Sequence, residues 1–270
     1  MKQNYSKCLI ADDTWQILEF DYDAIYYLEG SERGLLIDTG IGGDDLKGFV
    51  DAIATNPYDV VLTHGHLDHT GAIRQFPKVY VNEKDWDMAR VNNEAQRRAF
   101  IEHLYEMSIG AVPDQDASSM LHFGDEMPEF CNVKEGDTFD LGGRTVTVSE
   151  FPGHTKGCIC LYDDQSNLLF VGDAIIHRLL LLEGPSDYTE RLKAWKRYAD
   201  RVVMSRLDSL SGVYLGHTGR APRALLTTVY SIACRLIDDI SLINTCDGVS
   251  YQENGYQIRF EFRTMVDDAE

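Results

Sequence analysis

The sequence predicts an α/β protein in which two β-sheets pack face to face with helices outside. Three observations predict it. Strand-like apolar stretches alternate with helical ones in both halves of the chain. No linker rich in Pro, Ser or Gly separates the halves, so 1–270 reads as one domain. His64, His66, Asp68 and His69, the densest group of metal-ligand atoms, sit where an apolar strand gives way to a helix. Open α/β sheets commonly place ligand sites at such strand ends.

The elements follow in order. Residues 14–20 and 24–29 alternate enough to be paired strands. Residues 34–38 form a short buried strand that ends at Asp38, Thr39 and Gly40, and 44–54 carry helical periodicity. A buried strand at 58–63 leads into His64, a short helix is expected at 70–76, and 78–82 is another strand. From 83 to 131 the character changes. A helix at 92–107 is followed by a loop over 110–119. This helical insertion holds Met88, Met107, Met120, Met127, Phe123, His103 and His122. Such a set would serve as a lid over a substrate pocket, or as a surface helix with its own small core. Strands return at 132–139, 144–151, 158–162 and 168–171; a long helix fills 187–207. A strand at 213–215 runs into Gly216 and His217, a helix spans 221–240, and 257–263 is the last strand.

Composition bounds the function. A chain of 270 residues can bury one sizeable core. The mean hydropathy of −0.27 and the lack of a long apolar run argue against a membrane span. The N-terminus lacks a signal-peptide pattern, and six scattered cysteines do not form a small disulfide framework, so a cytoplasmic location is expected. The formal charge of −19 would repel phosphate backbones and anionic membranes, and no basic cluster offsets it. A small-molecule substrate is therefore the expected partner, with no nucleic acid and no membrane.

Four further motifs each put a ligand-type side chain beside a glycine at a strand end. They are Asp38 before Thr39-Gly40, His154 after Gly153, Asp173 after Gly172 and His217 after Gly216. Glycine there permits tight turns and close backbone approach. Taken in order with His-x-His-x-Asp-His, the set resembles the metallo-β-lactamase superfamily from Asp38 to His217. The resemblance implies a four-layer αββα sandwich of two mixed β-sheets with helices on the outer faces. It implies His64, His66 and His154 as ligands of one metal, Asp68, His69 and His217 as ligands of a second, and Asp173 as the carboxylate bridging both. Asp38 would support the centre from behind, taking a ligand His N–H or steadying the cluster loop.

Elementary chemistry agrees. His64 and His66 are two apart and face one side of an extended chain. Seven protein ligands are too many for one tetrahedral zinc. They suit two divalent metal ions, zinc first with manganese or iron as alternatives, about 3.5–4 Å apart with a shared hydroxide. The expected reaction is hydrolysis of a small ester, thioester, lactone or amide, with Asp68 passing a proton to the leaving group. A phosphodiesterase and a mononuclear-iron persulfide dioxygenase are the alternatives. Asp173 resembles the glyoxalase II and lactonase branch rather than the class B β-lactamases. Lactonases of that branch have a tyrosine shortly after the aspartate; here Ile175, Ile176 and His177 follow. His177 is a candidate substrate contact or an ordinary histidine. Arg220, Arg223 and Arg235 could grip a substrate carboxylate or simply line a solvated helix face. Cys158 and Cys160 read as small hydrophobes packed in the core.

Overall fold

A computed structural model describes residues 4–91, 94–109, 126–243 and 249–260. The first sheet has seven strands in sequence order: β1 (Tyr5–Ala11), β2 (Thr14–Glu19), β3 (Asp23–Glu29), β4 (Gly34–Ile37), β5 (Tyr58–Val61), β6 (Lys78–Val81) and β7 (Glu129–Asn132). It is antiparallel from β1 to β4 and parallel from β4 to β7. The second sheet contains β8 (Thr138–Asp140), β9 (Thr145–Glu150), β10 (Ile159–Asp163), β11 (Leu168–Gly172) and β13 (Gly212–Leu215), in the order β13-β11-β10-β9-β8. A third, small sheet joins β12 (Arg178–Leu181), β15 (Tyr256–Phe260) and β14 (Val249–Glu253), with β15 in the middle.

Side-chain alternation explains the layering. Along β3, Ala24, Tyr26 and Leu28 enter the core between the two large sheets, while Ile25 and Tyr27 enter the core on the outer face. Along β10, Ile159 and Leu161 point to the same inner core and Cys160 joins the outer one, as does the adjoining Cys158. Strands buried on both faces read as continuous apolar runs. The outer face of the first sheet is covered by Leu46 and Val50 of α1 (Leu46–Asp51), whose first turn is capped by Asp45 accepting from Gly48 N–H at 2.9 Å. The outer face of the second is covered by α5 (Tyr188–Val202) and α6 (Arg223–Asp238). Leu192, Trp195, Ala199 and Val202 form the inward stripe of α5, at helical spacing. The mixed αββα layering expected from the sequence is present.

The differences are local. The small third sheet makes three sheets where two were expected: β12 is a four-residue stretch and β14 carries only Val249 and Tyr251 as apolar residues. The helix expected at 70–76 begins earlier, as α2 (Leu67–Thr70), and resumes only as a single tight turn at Ile73–Gln75. Thr39 is the reason for the break: its N–H and hydroxyl both donate to His69 O, at 2.8 and 2.9 Å, which takes that carbonyl out of the helical ladder. The strand expected at 132–139 is two, β7 and β8, separated by a turn at Gly136 (φ 83°) that carries the chain from one sheet to the other. The 83–131 insertion is accordingly not all helical. It opens with a tight turn at Glu83–Asp85 and α3 (Trp86–Arg90), continues as α4 (Glu94–Ile109) and closes in edge strand β7. The expected loop at 110–119 lies outside the described residues, as do Met120, His122, Phe123 and the side chains of His103 and Met107. Helix α4 is fastened by Arg97, buried, which donates to Ile41 O at 2.9 and 2.6 Å.

Candidate metal centre

Strand ends from both large sheets build the site. His64 follows β5, α2 starts just after His66, Asp173 follows β11 and His217 follows β13. Three ligand-type groups result among the described residues: a first trio of His64, His66 and His154, a second of Asp68, His69 and His217, and a third of His64, His69 and Asp173 that straddles them. Asp173 lies between the first two. Its Oδ2 is 3.5 Å from His154 Nε2 and 3.3 Å from His217 Nε2, and its Oδ1 is 3.7 Å from His69 Nε2. In the first trio, His66 Nδ1 is 3.0 Å from His64 Nε2 and 2.9 Å from His154 Nε2. A tetrahedral zinc with 2.0–2.1 Å bonds has ligand–ligand edges of about 3.3 Å, so this triangle needs only a slight opening. In the second, Asp68 Oδ2 is 3.5 Å from His217 Nε2 and 3.9 Å from His69 Nε2. His69 Nε2 and Asp173 Oδ1 are buried without a hydrogen-bond partner among the described residues. Buried polar atoms normally have partners. Two of them facing one space, among nitrogen and carboxylate donors, fit divalent cations.

The His69, His64 and His154 rings are held from behind. Asp38 accepts from Thr63 N–H at 2.7 Å and from the Thr63 hydroxyl at 2.8 Å, and it holds His69 Nδ1 at 2.9 Å. The Thr63 hydroxyl lies 3.1 Å from His64 Nδ1, and Leu180 O lies 3.2 Å from His154 Nδ1. Such partners fix the tautomer and orientation of a ligand histidine. Gly216 is required by space: a Cβ there would sit 2.4 Å from Asp173 Oδ1 and 2.6 Å from His69 Cε1.

The electrostatics divide the two halves. Burial, reinforced by the neighbouring His69, His66 and His154, pushes His64 well below the usual imidazole range. Burial also lowers His154. Both are neutral at pH 7, the form that binds metal. Burial opposes charge on His69 too, but Asp38, Asp68 and Asp173 overcome it and raise the ring to about 9. His217 is likewise raised well above its ordinary value by Asp173 and Asp23 against the cost of burial. Asp173 is held well below the carboxylate range despite burial, chiefly by His217 and His69. The metal-free centre is thus neutral on one side and ion-paired on the other, and cations entering the second trio displace protons.

The sequence places specificity in the loop near Phe20–Asp23 but assigns no individual role to three residues. Asp23, at the start of β3, has its Oδ1 3.0 Å from His217 Nδ1 and backs that ring as Asp38 backs His69. Asp85 is buried and joins the two ligand loops: it accepts from Gly65 N–H at 3.0 Å, the Thr155 hydroxyl at 2.6 Å and Gly157 N–H at 2.8 Å. A Cβ on Gly157 would come 2.7 Å from its Cγ. Tyr22 is the third; its ring lies on His217 with centroids 4.6 Å apart. Burial raises its phenol, His217 opposes, and Asp23, Asp173 and Asp68 add to the rise. No spacing rule marks Asp85, whereas Tyr22 and Asp23 lie in the 20–23 loop between paired strands. His177 is not brought to the cluster: it is exposed and stacked parallel on Tyr256 at 5.8 Å. Arg220, Arg223 and Arg235 are engaged at the surface by Ser211 O, Asp208 and Glu253. Cys158 and Cys160 are buried in the apolar core under α5, and burial raises both thiols.

Residues 20–205 match the family model of the metallo-beta-lactamase superfamily. The match stops before His217, which β13 returns to the site. The bovine (Bos taurus) acyl-coenzyme A thioesterase MBLAC2 is 27% identical over 225 residues, 75% of this chain and 79% of that protein. Hydroxyacylglutathione hydrolase GloC of Haemophilus influenzae is 24% identical over 159 residues, 59% of this chain and 69% of that one. Among solved structures, a metallo-beta-lactamase from Pontibacter korlensis superposes with a TM-score of 0.56 at 19% identity, covering 85% of this chain and 99% of that one. Fold, ordered ligand motifs and family match together place the chain in the metallo-beta-lactamase superfamily. It is an enzyme, a metal-binding hydrolase of that superfamily. Among the described residues no helix is long and apolar enough to cross a membrane.

Proposed function

We propose that this chain hydrolyses the thioester of a small acyl substrate at a binuclear centre held by His64, His66, His154, Asp68, His69, His217 and Asp173. One observation carries the reading: two ligand trios share Asp173 between them, within 3.7 Å of a histidine nitrogen in each. Two bound divalent ions, zinc foremost, would polarise the acyl carbonyl and supply a nucleophilic hydroxide near neutral pH. The protein supplies the rest. Asp38 and Asp23 keep the His69 and His217 rings turned inward. Burial of His64, His69, His154 and Asp173 keeps bulk water from the reacting bond. Asp68, at the first turn of α2 and less buried than His69, would take as a carboxylate the proton that the attacking water gives up and pass it to the departing sulfur.

Two relatives favour a thioester: both are named for removing an acyl group from a thiol carrier, coenzyme A or glutathione. The location is taken to be cytoplasmic and the partner a small molecule. The test is a substrate panel on the zinc-loaded protein: acyl-coenzyme A, an acylglutathione, a lactone, an aryl ester and an aryl phosphodiester. The expected result is a kcat/KM for at least one thioester about 100-fold above the lactone and phosphodiester. A phosphodiester preference, or oxygen uptake by an iron-loaded form with a persulfide, overturns the reading.

A further inference from the structure

We infer that Tyr22 is a substrate-contacting residue whose phenol donates a hydrogen bond to the acyl oxygen at the metal centre. The inference rests on the hydrolytic reading above, and four observations carry it. The first is backbone strain. Tyr22 leaves a tight turn closed by its own N–H donating to Glu19 O at 3.0 Å, and the two central residues, Phe20 (φ 53°) and Asp21 (φ 58°), are both left-handed. Hairpins of this kind favour Asn-Gly, and a bulky residue such as Phe is an outlier there.

Secondly, the turn is held from several sides. Phe20 N–H donates to Asn4 O at 2.9 Å, Thr218 N–H to Tyr22 O at 2.8 Å and Ala24 N–H to Gly216 O at 2.8 Å. The Phe20 ring is buried with Ile41 and Ile101. Strain that persists under so many restraints points to function. Thirdly, the restraints press the Tyr22 ring onto His217, 4.6 Å away, at the second trio. Fourthly, the half-buried Tyr22 ring packs against the small Phe20–Ile41–Ile101 cluster, yet its hydroxyl makes no hydrogen bond among the described residues. A packing role would need the ring alone. A phenol on a half-buried ring next to a candidate ligand histidine, with no hydrogen-bond partner among the described residues, is a donor free to meet a substrate.

Its chemistry fits an oxygen that gains negative charge. An ordinary phenol titrates near 10 and keeps its proton at neutral pH, so Tyr22 donates without losing the proton. A donor aimed at a developing oxyanion strengthens its bond as the reaction proceeds and so acts on kcat. The small apolar cluster that Tyr22, Leu67 and Phe100 all pack against gives the acyl chain a surface to lie against.

The test is Tyr22→Phe in the zinc-loaded protein, assayed on whichever carbonyl substrate of the panel the wild type cleaves fastest. We expect kcat to fall about 100-fold with KM within about threefold, metal content unchanged and the cobalt-substituted spectrum unchanged. An equal kcat overturns the inference. So does a loss of metal or an altered cobalt spectrum, which would make Tyr22 a support for His217. A wild type that cleaves a lactone or ester but no thioester refutes the thioester reading alone, and the Tyr22 comparison is then made on that substrate. A wild type that cleaves only the phosphodiester overturns both.

Discussion

Asp173→Ala is expected to lower kcat/KM by about 1,000-fold or more, a loss of about 4 kcal/mol of transition-state stabilisation, and to reduce bound metal below two ions per chain. The reason is position. Asp173 lies at 3.5 Å from His154, 3.3 Å from His217 and 3.7 Å from His69, so its carboxylate faces nitrogens of both trios. Without it, one side of the centre rests on His64, His66 and His154 alone, and the other on Asp68, His69 and His217. Nothing then fixes the separation of the two. Asp173→Asn keeps the shape but removes the charge, and should fall between wild type and alanine in metal affinity. Circular dichroism should be unchanged in both variants, since the side chain is not part of the apolar core. Two tightly bound ions and wild-type turnover in Asp173→Ala would remove the bridging role.

The second large effect concerns the frame that brings the strand ends together. Arg144→Ala is expected to destabilise the protein by about 3–5 kcal/mol, the usual consequence of breaking a buried, hydrogen-bonded ion pair. Arg144 and Asp163 both have fully buried side chains and meet in a two-pronged contact of 2.8 and 2.7 Å. The same guanidinium donates to Asp13 O at 3.1 Å, Glu29 O at 3.0 Å and the Thr14 hydroxyl at 2.6 Å. It therefore ties the second sheet to the first, at the end of β9 away from His154. Removal leaves a buried Asp163 uncompensated and three acceptors without this donor. Arg144→Lys should recover only part of the loss, because an ammonium cannot reproduce the planar fork. The check is urea unfolding of all three proteins, with metal content measured alongside. A cost below about 1 kcal/mol for Arg144→Ala would show that the contact is not a tie between sheets.

Much of the site was legible before any coordinates, and the reason is chemical. Residues able to hold a metal come from few types and are mounted on strand ends, so the group of His64, His66, His154, Asp173 and His217 that the fold brings together is marked in the sequence by type and by the glycine next to each. The strands buried on both faces were legible as well, since β3, β4, β5, β10 and β11 are nearly unbroken apolar runs. What escaped depends on distance along the chain. Asp85 touches Gly65 and Thr155, 20 and 70 residues away, and nothing at position 85 records either contact. Edge strand β1 exposes most of its residues and has no alternation to read. The break after α2 follows from Thr39, 30 residues upstream of His69, taking over a carbonyl. His177 shows that closeness to Asp173 in sequence need not bring a ring into the histidine group: it is exposed and stacked on Tyr256, just before β12 begins.

The central claim is that seven side chains hold two cations. Calorimetric titration of the metal-free protein with zinc tests it most directly, with thermal unfolding followed at each addition. Two equivalents per chain should bind, with protons released on binding and the melting temperature rising up to the second equivalent. Saturation at one equivalent, or binding that survives replacement of both His154 and His217, would contradict the account.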